Sequence, residues 1–274
     1  MDNAQQFKLH LIREEKSEAT VEKYVRDTQR FLDYANGEIL TKELAMEYKE
    51  YLCKSYAPTS VNSIISSLNC FFVFIGRYDL KLKSLKLQRQ VFAQKEKELV
   101  KTEYERLLNA SKDKKHERIN LIMQTICSSG IRVSELRYIT MEAIEQETAI
   151  IRCKSKIRRI FLPKDLCKML KKYAKEKQIT EVPIFITKSG QPINRSNIWH
   201  DMKKLCESAK VDKRKVFPHN LRHLFARTYY TMQKDIVRLS DILGHSSIDT
   251  TRIYTIESGV IHRQQIQKLG LLRL

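Results

Sequence analysis

One stretch, Phe217 to Thr255, constrains this chain more than any other. It reads FPHNLRHLFARTYYTMQKDIVRLSDILGHSSIDTTRIYT. Pro218 suits the first turn of a helix, where its missing N–H costs nothing. Leu221, Leu224, Phe225, Thr228 and Tyr229 then recur at helical spacing and form a core-facing stripe. His219, Arg222, His223 and Ala226 fall on the other side. Two histidines and an arginine are thus expected on one face, with the opposite face buried. A second helix runs from Asp235 to Leu243, closed by Gly244 at the C-cap position. Ser246 and Asp249 read as a capping box, so a third short helix is expected to carry Tyr254, with His245 in the turn before it. A histidine pair at i, i+4 is a metal-binding spacing. Here Arg222 on the same face repels a cation, and no Glu or Cys accompanies the pair.

The rest of the chain is mostly helical in pattern. Residues 3–15 read as a helix. Ser17 caps a second with Val21, Tyr24, Val25, Thr28, Phe31 and Leu32 on one stripe, ended by Asn36-Gly37. A third follows Thr41, with Leu44, Met46, Tyr48 and Leu52, and a fourth follows Pro58. No strand pattern interrupts these residues, so they predict a small helical bundle. Residues 81–98 lack a clean period and are rich in Lys and Gln, as an exposed linker is. Beyond it, Thr102 caps a helix through Leu108, and residues 116–129 form a buried helix that Gly130 ends. Arg132 therefore stands just past a helix end, with Glu135 in the next turn. Residues 148–152 and 157–162 flank Cys153-Lys154-Ser155-Lys156 and predict a β-hairpin with a basic tip. A helix from Lys164 to Lys177, a short strand over 182–187 and a helix through Ser208 with Trp199 on its packing face complete the reading. The fold class is mainly α with a small antiparallel β element.

Charge narrows the partner. Lys and Arg number 51 against 32 Asp and Glu, a net charge of +19. Most of that excess lies after residue 95, in the part that carries the unusual residues. A polyanion is the expected partner: nucleic acid first, an anionic membrane surface second. No apolar run is long enough to cross a bilayer, and no secretory signal is visible, so a soluble cytoplasmic protein is expected. The six cysteines are scattered without a C-x-x-C pair and read as reduced core residues. No glycine-rich phosphate loop and no acidic cluster for Mg²⁺ appears, so neither ATP nor a metal cofactor is expected.

Several ordered motifs together resemble the tyrosine site-specific recombinases, the phage integrase and Xer family. They are Gly130-Ile131-Arg132-Val133-Ser134-Glu135-Leu136, then His219-Asn220-Leu221-Arg222, then Leu243-Gly244-His245, then Thr251-Arg252-Ile253-Tyr254. The resemblance implies a core-binding domain over residues 1–85 that clamps DNA, a basic linker over 86–98, and a catalytic domain over 99–274. It implies that Arg132, Lys154, His219, Arg222, His245 and Tyr254 are catalytic, with Glu135 and His223 behind them. Lys154 is preferred over Lys156; the hairpin matches the family's lysine segment loosely, with Cys153 and Ser155 where glycine is usual. Tyr254 would be the nucleophile and the two arginines would bind the phosphate, since a guanidinium binds it bidentately without losing its charge. His219 would accept the tyrosine proton or assist through the arginine pair, the lysine would protonate the leaving 5′-hydroxyl, and His245 would donate to the scissile phosphate. The family works on double-stranded DNA as a homo-tetramer, with the tail after Tyr254 docked on a neighbouring subunit; packing of that tail on its own core is the plainer reading. Two rivals keep the same DNA affinity: a type IB topoisomerase, which usually has lysine where His219 stands, and a non-enzymatic regulator built on the same fold.

Overall fold

A computed structural model describes residues 3–86, 95–153, 156–180, 183–187, 189–245, 247–254 and 267–268. The chain divides into two compact units, Met1–Gln90 and Val91–Leu274.

The regular elements of the first unit, among its described residues, are all helical: α1 (Asn3–Arg13), α2 (Glu18–Ala35), α3 (Lys42–Ser55) and α4 (Pro58–Phe74), with a short 3₁₀ turn at Tyr78–Leu80. Their ends follow local chemistry. The Thr41 hydroxyl accepts from Leu44 N–H at 3.2 Å and caps α3, Pro58 opens α4, and Asn36 ends α2 in the left-handed region at φ 45°. Aromatic rings fill the centre. Phe7 meets Phe71 edge-on at 5.3 Å and Phe31 meets Phe72 edge-on at 5.5 Å. Each such burial contributes about 1.5–3 kcal/mol. Met46, on the stripe in the sequence, is exposed; the inward residues of α3 are Leu44, Ala45, Tyr48 and Leu52. One charge is buried here. Asp27 of α2 accepts from Lys23 Nζ at 2.6 Å and from the Ser67 hydroxyl of α4 at 2.8 Å, which ties the two helices together.

The stretch read as an exposed linker is fastened at both described ends. Asn69 exchanges two hydrogen bonds with the backbone of Leu82 (2.8 and 2.9 Å), and Asn62 does the same with Leu85 (2.7 and 3.0 Å). Two side-chain amides of α4 thus pair with an extended segment as a neighbouring strand would. At the other end, Lys97 C=O accepts from Asn220 Nδ2 at 2.8 Å, and Glu98 pairs with Arg227.

The second unit holds α5 (Lys101–Ala110), α6 (Glu117–Ser129), α7 (Met141–Glu145), β1 (Thr148–Cys153), β2 (Lys156–Phe161), α8 (Lys164–Glu176), α9 (Arg195–Lys204), α10 (Pro218–Gln233) and α11 (Ile236–Leu243). The strands pair antiparallel as the expected hairpin, with Thr148 opposite Phe161 and Cys153 opposite Lys156. Ile119, Ile122, Met123 and Ile126 of α6 lie at the centre of the core, joined by Ile151, Ile160, Leu170, Ile198, Met202 and Leu221. A smaller cluster of Ala226, Leu239, Leu243 and Tyr254 sits beside it.

Three expectations are corrected. Residues 184–186 form no strand: Ile184 N–H bonds Ile139 C=O and Ile193 N–H bonds Phe185 C=O, and only a single bridge, Ile186 to Pro192, survives among the described residues. Trp199 is exposed, because Ile198 and Met202 one turn apart already fill the core side of α9; its ring lies 5.1 Å from Lys203 Nζ. The third helix is two short 3₁₀ turns, Ile248–Thr250 and Arg252–Tyr254, capped by the Ser247 hydroxyl; Ser246 lies outside the described residues.

Candidate active site

Two tight helix ends bring the site together. Gly130 closes α6 at φ 65° and Gly244 closes α11 at φ 62°, both left-handed, and neither has space for a Cβ. A side chain at Gly130 would strike Phe225, and one at Gly244 would strike Arg158. The carbonyls exposed at these ends become ligands for arginines. Arg222 donates to Gly130 C=O and, at 2.8 Å, to Leu243 C=O. Arg132 donates to Gly244 C=O at 3.2 Å.

Arg222 is only 3% exposed. The sequence placed it on a face opposite the buried one, but α10 is buried at Leu221, Arg222 and Ala226 alike. Burial comes first, and the neighbouring Arg132 second, in pushing Arg222 down to about 10. Glu135 is the counter-charge. It accepts from the backbone and guanidinium of Arg132 at 2.9 and 3.0 Å, and from Arg158.

The histidines line up around the tyrosine. His245 Nε2 lies 3.1 Å from Arg222 Nη2, and its Nδ1 lies 2.8 Å from the Thr251 hydroxyl. His219 and His223 share an Nε2–Nε2 contact of 3.0 Å. His223 packs edge-on against Tyr254 with ring centroids 4.6 Å apart, and His245 lies nearly parallel to Tyr254 at 6.1 Å. His223, not His219, is therefore the imidazole packed directly on the tyrosine, and His219 sits one hydrogen bond further out. Burial first, and neighbouring charged groups after it, push His223 and His245 down to about 4 each and lower His219 as well. Tyr254 itself is buried at 4% exposure.

Seven of the eight residues singled out in the sequence converge here. Lys154 lies outside the described residues. Two participants escaped the sequence reading. Arg158 was counted within an apolar run, yet strand alternation puts it in register with buried Ile151 and on the same face as Ile160. A charge on the inner face of a strand needs a partner, and Glu135 is that partner. Thr251 opens the motif that ends in Tyr254, but its burial and its hydrogen bond to His245 have no local sequence signal.

Three arginines, one carboxylate and three histidines gather beside a tyrosine. Such a cluster of fixed positive charge suits an anion, and a phosphoryl group is one that arginines bind well. Comparison with known proteins agrees. The phage integrase family model matches residues 97–258, and the phage integrase N-terminal SAM-like domain matches residues 4–78. The chain therefore belongs to the phage integrase family and is a site-specific tyrosine recombinase, which cuts and rejoins DNA strands. Tyrosine recombinase XerA of Pyrococcus furiosus is 27% identical over 98% of this chain and 94% of its own. Tyrosine recombinase XerD of Halalkalibacterium halodurans is 27% identical over 93% and 92%. Among solved structures, the Tn1549 transposon integrase in complex with transposon right end DNA superposes with a TM-score of 0.72 at 16% identity, covering 98% of this chain and 100% of that one. That likeness is one of fold.

Proposed function

We propose that Tyr254 attacks a DNA phosphodiester gripped by Arg132 and Arg222. The tyrosine oxygen bonds to phosphorus, the bond from phosphorus to the 5′ oxygen breaks, and a 3′-phosphotyrosine is left. The phenol proton passes to the histidine pair, through His223 to His219. The departing 5′ oxygen takes a proton from the hairpin lysine, Lys154 in our assignment. His245 donates to a non-bridging oxygen, and Glu135 and Arg158 hold Arg132 in place. Attack by a second strand's 5′-hydroxyl reverses these steps, so the bond energy is conserved. The supporting observation is geometric: Arg132, Arg222 and His245 converge on the ends of α6 and α11 beside a buried tyrosine. The site carries more positive charge than it neutralises, and a phosphodiester would relieve it.

Residues 1–85 would clamp the DNA, 86–98 link, and 99–274 catalyse. We further propose a tetramer on two DNA sites in the cytoplasm, with the tail after Tyr254 docked on the next subunit. The XerH recombinase structure holds a difH substrate and the Tn1549 integrase structure a circular intermediate DNA. By analogy this chain's substrate is a paired recombination site, and the site's arrangement decides between integration, excision, inversion and dimer resolution.

Covalent trapping tests the mechanism. The protein is mixed with nicked duplexes tiling the DNA beside its own gene, without metal or ATP, and run on a denaturing gel. A shifted band in the wild type, absent in Tyr254→Phe, is expected. Binding with no adduct in the wild type would overturn the proposal.

A further inference from the structure

We infer that Thr251 is a positioning residue: its hydroxyl holds His245 by Nδ1 and lets that imidazole change from hydrogen-bond acceptor to donor as a phosphate arrives. The inference rests on the mechanism above, in which His245 faces the phosphate.

A guanidinium has donors and no acceptor. The 3.1 Å contact between Arg222 Nη2 and His245 Nε2 therefore makes Nε2 an acceptor. In the neutral ring the proton then sits on Nδ1, which donates to Thr251 Oγ1 at 2.8 Å. In this state Nε2 presents a lone pair, which repels a phosphate oxygen.

To serve the phosphate, Nε2 must carry a proton. Two routes lead there. The ring takes up one proton from solvent as the phosphate's negative charge enters, and Nδ1–H still donates to Thr251. Alternatively the neutral ring changes tautomer: one proton leaves Nδ1 for solvent, one arrives at Nε2, and Nδ1 becomes the acceptor. In the second route the partner must donate. A hydroxyl rotates and serves both states. A carboxylate would fix the proton on Nδ1, and a methyl group would serve neither state.

Placement strengthens the case. Thr251 is fully buried, so the hydrogen bond to His245 meets little competition from water. Its backbone carbonyl accepts from Tyr254 N–H at 3.0 Å. One residue thus answers the phosphate-facing histidine with its side chain and opens the turn of the nucleophile with its backbone.

Two substitutions separate the hydroxyl from the volume. Thr251→Val keeps the shape and removes the hydroxyl; Thr251→Ser keeps the hydroxyl. Histidine-detected ¹⁵N NMR on the full chain without DNA should find a slowly exchanging Nδ1–H on His245 in the wild type and in Thr251→Ser, and lose it in Thr251→Val. Single-turnover adduct formation on the nicked duplexes should fall roughly 10- to 100-fold in Thr251→Val, with DNA binding kept, and recover in Thr251→Ser. In a His245→Ala background, Thr251→Val should add no further loss. A wild-type rate in Thr251→Val, an equal loss in Thr251→Ser, or full additivity with His245→Ala would overturn the inference. No adduct from the wild type would overturn the mechanism instead. The NMR arm needs no DNA and still judges the hydrogen bond: a His245 without the Nδ1–H proton sinks the role of Thr251 by itself.

Discussion

Both units bury charge, and they do so in opposite ways. In the helical bundle, Asp27 is 3% exposed and meets its counter-charge in Lys23 at 2.6 Å, with the Ser67 hydroxyl taking part. The group is locally complete. In the second unit, Arg222 is equally buried, yet its hydrogen bonds go to backbone carbonyls and an imidazole, and the nearby carboxylate, Glu135, is already shared by Arg132 and Arg158. A buried pair that closes on itself serves the fold. A buried cation without a carboxylate hydrogen-bonded to it is the kind of arrangement that suits an anionic ligand. Its cost is tolerated because the arrangement must exist before the anion arrives.

The sharpest break in this comparison is Arg222→Ala. Removing one preorganised donor from such a site costs about 10²–10³ in rate, so single-turnover adduct formation should fall by at least that. Asp27→Ala should do the reverse. It removes the acceptor shared by Lys23 and Ser67 and should cost the bundle roughly 1–3 kcal/mol in denaturant unfolding, while the intrinsic cleavage rate on bound DNA stays unchanged. If Asp27→Ala instead slowed cleavage of bound DNA, the division between a charge for folding and a charge for chemistry would fail.

A third effect is in pH and salt. His223 and His245 titrate near 4 in the folded chain against about 6.5 unfolded, so the unfolded state binds more protons below neutrality. The stability they contribute is complete above about 6.5 and is lost as pH falls toward 4. Sulfate, as a stand-in for a phosphodiester, should counter that loss by binding the arginines, with about 1.4 kcal/mol of stabilisation at ten times its Kd. Amide hydrogen exchange can assign both effects to one unit. Protection should change in residues 95–254 and hold in residues 3–86; equal changes in both would erase the contrast.

What could be read from the sequence follows the range of the forces. Helices set by an amphipathic stripe and a local cap were legible, because Thr41, Pro58, Asn36, Gly130 and Gly244 act within a turn of themselves. The candidate site residues were legible as motifs, but their surroundings were not. Arg222 looked like an exposed side chain, since the carbonyls of Gly130 and Leu243 that absorb it are remote in sequence. Arg158 was legible in principle from strand alternation, once the hairpin was drawn. The order of the two histidines around Tyr254 depends on where the last 3₁₀ turn falls, which no local rule sets.

Asn220 stands between His219 and Leu221 at the start of α10, and its amide holds both Lys97 C=O and Lys215 C=O, at 2.8 and 2.7 Å. The segment at Lys97 is thereby moored to the helix that carries His219, Arg222 and His223. One side-chain amide thus works as a clasp: the approach to α5 and the start of α10 are held in place by the same few atoms, and loosening it would free both at once.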